Sequence, residues 1–98
     1  MARFDLHRLG GVLVVDLQHD LLEHLPTRVV APLLLPGQAG RPVRDLNPSF
    51  DIEGVPHILA THQLAAVPKR ELGPAIGTLD AGYDAILRAI DILLLTGV

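Results

Sequence analysis

The sequence predicts a mainly β chain that ends in one α-helix, and three observations lead there. Two uninterrupted apolar runs, Gly11 to Leu17 ("GVLVVDL") and Arg28 to Leu35 ("RVVAPLLL"), have the composition of buried strands. Eight prolines spread along the chain favour short strands over a helical bundle. Near residue 79 the apolar spacing changes to steps of four and three, which is the helical period.

The elements follow in order. "GVLVVDL" has no polar alternation before Asp16, so it reads as a strand covered on both faces. The stretch Asp16 to Leu25 has two readings. Leu17, Leu21, Leu22 and Leu25 share one helical face with Asp16 available as a cap, or the strand frays into a long connection. "RVVAPLLL" is the second strand. Pro32 inside it removes a ladder donor, which predicts an edge strand or a bulge. Pro36 to Pro48 is a polar, Gly- and Pro-rich loop, the segment expected to move most. "SFDI" and "PHILAT" around Glu53, Gly54 and Val55 read as a hairpin, with Gly54 at a positive φ. At the end, Leu79, Tyr83, Ile86, Ile90 and Leu93 form the apolar stripe of a helix. Asp80 stands where an N-cap or a first-turn acid would help, and Asp84, Arg88 and Asp91 form its wet face. From Ile92 to Leu95 every residue is aliphatic, so this helix end needs a cover.

Composition limits the function. A chain of 98 residues fits one domain over 1–98, with strands roughly in 3–72 and the helix roughly in 80–95. Hydrophobic residues make up 49% and charged residues 19%, which excludes disorder. A net charge of -3 argues against a general nucleic-acid binder. The absence of cysteine removes thiolate chemistry and suits a cytoplasmic location. Arg3 and Arg8 precede an apolar run as in a signal peptide, but Asp16 breaks that run and no small-residue cleavage pattern follows. No apolar stretch approaches the roughly 18 residues of a membrane span.

Chemistry is sparse. His19 and His24, like His57 and His62, stand five apart, outside the helical spacing of metal ligands. The fifth histidine, His7, has no nearby partner in sequence. Nucleophile elbows, P-loops and dinucleotide turns are missing. The sequence therefore predicts no catalytic residue, metal or cofactor.

One resemblance covers nearly the whole chain. "VVDLQHDLLEHLPTRVVAPLL" is similar to the CcdB family of bacterial toxins, which carries a strand, a Val-Asp-x-Gln-x-Asp turn and Arg-x-Val-x-Pro-Leu. "LNPSFDIEGVPHILATHQLAAVP" continues it with a hairpin and an Ala-x-Val-Pro segment. Each motif is weak alone, and their order and spacing carry the resemblance. The chief departure in length is the shorter hairpin at Leu9-Gly10-Gly11.

The resemblance implies a homodimer of small SH3-like β-barrels with a C-terminal helix, the fold of the CcdB toxins and the MazF/Kid ribonucleases. It implies a toxin that poisons DNA gyrase through its A subunit. A CcdA-like antitoxin would neutralise it, and operator DNA would be reached only through that antitoxin. Family members grip gyrase with a C-terminal Trp-Gly-Ile and a pair of isoleucines after the Gln-x-Asp turn. Here those positions are Thr96, Gly97 and Val98, with Leu95 as the other candidate for the aromatic position, and Leu21 with Leu22. The tryptophan is missing. Loss of such an anchor costs about 2 kcal/mol or more at an interface. Arg28, Arg41 and Arg44 are the expected contacts for an acidic antitoxin, while Ile90, Leu93 and Leu94 are the expected dimer seam.

Three alternatives stand beside this reading. One is a dimer of the same fold with weakened or redirected toxicity, for example toward topoisomerase IV. Another is a MazF-like endoribonuclease, with Thr27 and Arg28 or Arg44 and Asp45 as base and electrophile. The last is a structural or adaptor dimer without toxicity.

Overall fold

Most of the chain's β-branched residues end up in a strongly curved sheet, and the helical stripe closes its concave side. The computed structural model describes residues 2–95. Strands β1 (Asp5–Leu9) and β2 (Val12–Asp16) form a hairpin across Gly10 and Gly11, with Gly10 at φ +60°. Strand β3 (Thr27–Leu34) runs antiparallel beside β2. A second hairpin joins β4 (Ser49–Ile52) to β5 (Val55–Leu59). Strands β6 (Ala65–Pro68) and β7 (Gly77–Thr78) are short, and helix α1 spans Tyr83–Leu94. The strand order is β4-β5-β3-β2-β1-β7, with β6 also paired to β3. Every described pairing is antiparallel, so the result is a half-barrel with one C-terminal helix.

The second hairpin forms as its sequence predicts. Glu53 and Gly54 both take positive φ, +53° and +80°, and a two-residue turn of this kind matches the natural strand twist. Glycine removes the steric cost at the second position.

Pro32 corrects an expectation. β3 is neither an edge nor bulged; it is the most central strand, paired with β2 on one side and with β5 and β6 on the other. The register explains how a proline is tolerated. Leu17 N–H donates to Val29 O at 2.8 Å, so by alternation the backbone nitrogen of residue 32 points away from β2. On that other side β6 pairs only up to Val30 and β5 begins at Leu33. The missing donor therefore falls in the gap between two neighbours, while Pro32 O still accepts Ala60 N–H at 2.9 Å.

Both faces of the central strands are covered, as the unbroken run in β2 predicts. The concave face holds Phe4, Leu6, Leu13, Val15, Ala31, Leu33 and Leu59, closed by Leu79 and Ile86. The convex face holds a smaller cluster of Val14, Val30 and Leu72. Beside it lie three buried polar side chains, His7, Asp16 and Arg28.

The helix begins later than expected. A 3-10 turn, Asp80–Gly82, precedes α1; Asp80 is the acid in the first turn of that 3-10 element and does not cap α1, and its own N–H donates to Thr78 Oγ1 at 3.1 Å. A Cβ on Gly82 would lie 2.3 Å from Phe50 Cε1, so glycine lets the helix start press onto β4. On the stripe, Ile86 is fully buried and Ile90 packs on the core, whereas Tyr83 is exposed; Ala89, outside the predicted stripe, is buried as well. Arg3 lies over the rings of both Phe4 and Tyr83, at 5.0 and 5.2 Å from their centroids, which ties the N-terminal segment to the helix start. No helix among the described residues is long and apolar enough to cross a membrane.

Candidate functional site

The segment after β2 resolves the choice left open by its sequence. Residues 16–25 form no α-helix; the strand ends and the chain makes one 3-10 turn, Asp20–Leu22. His19 caps it, its Nδ1 accepting the Leu21 N–H at 3.1 Å. Leu21 is 80% exposed and Leu22 43%, side by side on the turn. Both predicted target contacts are therefore presented to solvent together. Covering each of them fully would contribute about 1.5–3 kcal/mol.

Beneath the turn lies a polar network that sequence reasoning missed. Arg28 Nε donates to Asp16 Oδ2 at 2.9 Å, and Nη2 donates to the same oxygen; both side chains are fully buried. Asp16 Oδ1 accepts the Gln18 N–H at 2.9 Å, and Arg28 Nη2 reaches Gln18 O at 3.4 Å. Gln18 then spans two elements, Oε1 accepting Val29 N–H at 3.0 Å and Nε2 donating to Leu22 O at 3.1 Å. From outside, Arg3 N–H donates to Asp20 Oδ1 at 2.7 Å and Lys69 Nζ donates to Glu23 O at 3.0 Å. A signal was present in "VVD" and "RVV": an acid and an arginine each embedded in an apolar strand must find each other, because a buried lone charge is too costly.

Arg28 is thus a correction. Expected on the surface beside Arg41 and Arg44, it is fully buried and committed to Asp16. Arg41 and Arg44 are exposed on the loop between β3 and β4, as predicted. That loop is not loose throughout. Asn47 Oδ1 accepts Val43 N–H at 2.9 Å, its Nδ2 donates to Leu59 O at 3.1 Å, and Thr61 Oγ1 donates to Leu46 O at 2.6 Å.

The helix end is the second candidate surface. Leu94 and Leu95 are exposed, and so are Leu87 and Ile92, which were not among the predicted seam residues. Leu93 is half-buried, and Ile90 faces this chain's own core, so its share in any seam is partial. Leu87, Ile90, Ile92 and Leu95 line a shallow depression with Arg88 and Asp91 on its rim. A separate shallow depression, lined by Asp20, Leu21, Glu23 and His24, lies on the 3-10 turn. Thr96, Gly97 and Val98 lie outside the described residues.

The histidines do not converge. His7 is buried, with Nδ1 against Gly73 O at 2.8 Å and Nε2 without a partner, while His57 Nδ1 lies 2.9 Å from Val55 O. Among the described residues no three His, Cys, Asp or Glu side chains gather as a group that could hold a metal ion.

Comparison with known proteins agrees with this architecture. A crystal structure described as that of an Mtb toxin superposes with a TM-score of 0.74 at 20% identity, covering 90% of this chain and 98% of that one. At that identity it speaks for the fold. No curated protein matches the chain. The family profile described as CcdB protein matches residues 4–97, and by that match the chain belongs to the CcdB family of toxins.

Proposed function

We propose that this chain is the toxin of a type II toxin–antitoxin system, that it poisons DNA gyrase through the A subunit, and that a CcdA-like antitoxin neutralises it. The observation that carries the reading is the turn bearing Leu21 and Leu22. It presents two adjacent leucines at the position where the family resemblance implies target contacts. Leu95, Thr96, Gly97 and Val98 supply the second contact. The exposed apolar end of α1, with Leu93 and Leu94, is the surface on which two copies pair. Arg41 and Arg44 offer positive charge to an acidic antitoxin segment. The toxin acts in the cytoplasm, needs no cofactor, and reaches operator DNA only through the antitoxin.

The endoribonuclease reading has little to support it. Arg28 is sealed from solvent and neutralised by Asp16, so it has no access to a phosphate. The net charge of -3 also offers little from which to build a basic groove for RNA. A redirected target, such as topoisomerase IV, is favoured by one feature: the chain has no tryptophan to fill the gyrase pocket.

Binding to purified gyrase A subunit tests the proposal. The unmodified protein should bind, and replacing both Leu21 and Leu22 with Asp should weaken binding about 100-fold, which corresponds to losing roughly 3 kcal/mol of apolar burial. Binding to the equivalent topoisomerase IV subunit in preference would move the target there. An unmodified protein that binds neither would refute the reading.

A further inference from the structure

We infer that Gln18 is a positioning residue for target binding: its side chain locks the Leu21–Leu22 turn to strand β3, an inference that rests on the proposed role of those leucines. The β2–β3 ladder ends where Leu17 N–H donates to Val29 O at 2.8 Å. At the next residue the backbone turns away, and the Gln18 side chain continues the ladder in its place. Its Oε1 takes the Val29 N–H at 3.0 Å and its Nε2 holds Leu22 O at 3.1 Å. The glutamine is itself held. Asp16 Oδ1 accepts its N–H at 2.9 Å, and Asp16 is fixed by Arg28. Gln18 is 7% exposed, so water cannot readily replace these bonds.

This chain of contacts matters because the turn has little stability of its own. It is a three-residue 3-10 element with none of its residues buried. An exposed pair of leucines on a loose turn would have to be ordered on binding, at a cost in affinity; a turn already fixed avoids that cost. Asp16, Arg28 and Gln18 therefore form a buried scaffold that presents apolar side chains they do not themselves touch through hydrogen bonds.

Two variants test the inference. Gln18→Met keeps length and removes both bonds; Gln18→Glu keeps the acceptor for Val29 and removes the donor to Leu22 O. The second retains the strand contact and serves if the first does not fold. Amide exchange is read at Leu22 and Glu23, whose N–H groups donate to His19 O and Asp20 O within the turn. Each variant should raise exchange there about tenfold relative to α1 amides, and weaken gyrase A-subunit binding by the folded protein about tenfold. Turn amides that change no more than α1 amides would overturn the inference. Wild-type affinity in the Gln18 variants, beside weakened binding by a Leu21→Ala, Leu22→Ala double variant, would overturn the positioning role alone. Wild-type affinity in that leucine variant would overturn the underlying reading of the patch.

Discussion

Three arginines illustrate how far a residue's role depends on its partner. Arg28, Arg41 and Arg44 look alike in the sequence, yet Arg28 is fully buried against Asp16 and the other two face solvent. Removing one member of a buried pair leaves an uncompensated charge, so Arg28→Ala should lower stability by about 3–5 kcal/mol in chemical denaturation. Replacing Arg41 and Arg44 with Ala should stay within about 0.5 kcal/mol per site while weakening antitoxin binding, most visibly at low salt. Equal destabilisation by all three would contradict the assignment. Gly82 is a second case. A methyl group there meets the Phe50 ring at 2.3 Å, so Gly82→Ala should cost about 1–3 kcal/mol by thermal unfolding despite the usual helix preference for alanine. An acid and an arginine each set in an apolar strand hinted at the Asp16–Arg28 pair, but which strands adjoin is fixed by register, and the Gly82–Phe50 approach leaves no mark in the linear sequence.

Elements were read more successfully than their neighbours. Continuous apolar runs became β2 and β3, and Glu53-Gly54 became a tight hairpin, since each depends on local chemistry alone. The expectation of an edge or a bulge in β3 came from Pro32, whose effect is set by β6 ending and β5 beginning on one side of it. The leucine-rich stretch after Asp16 has helical periodicity, but Gln18 and His19 side chains capture its backbone first. In the helix, the spacing placed Ile86 and Ile90 correctly against the core, and the loss of polar residues after Asp91 correctly marked an uncovered end. Leu87, Ile92, Leu94 and Leu95 are exposed there, which is the basis for the proposed pairing of two copies through this end. Leu94→Asp should convert a dimer at micromolar concentration into monomer or aggregate, as read by sedimentation. A wild-type chain that sediments as a stable monomer would contradict it.

At the scale of the molecule, the half-barrel carries two exposed apolar surfaces on one scaffold: a braced turn with Leu21 and Leu22, and the end of α1, after which the sequence continues as Thr96-Gly97-Val98. The order of motifs along the chain pointed to the family that the profile match shows, and through that resemblance Leu21 and Leu22 were singled out as the proposed target contacts. Their buried support was not, since Gln18 acts through Val29, eleven residues away in sequence. If the tail faces the target, deleting Thr96 to Val98 should leave the melting temperature unchanged and abolish gyrase inhibition. A fall in stability of about 2 kcal/mol, the value of a buried Val side chain, would instead assign the tail to the core. Gyrase poisoning is read most directly in a cleavage assay with purified gyrase, supercoiled DNA and ATP. The protein should make gyrase accumulate linear, covalently trapped DNA, and the Leu21→Asp, Leu22→Asp variant should not. Intact DNA at saturating protein, with an RNA substrate cut in a parallel reaction, would contradict the proposal.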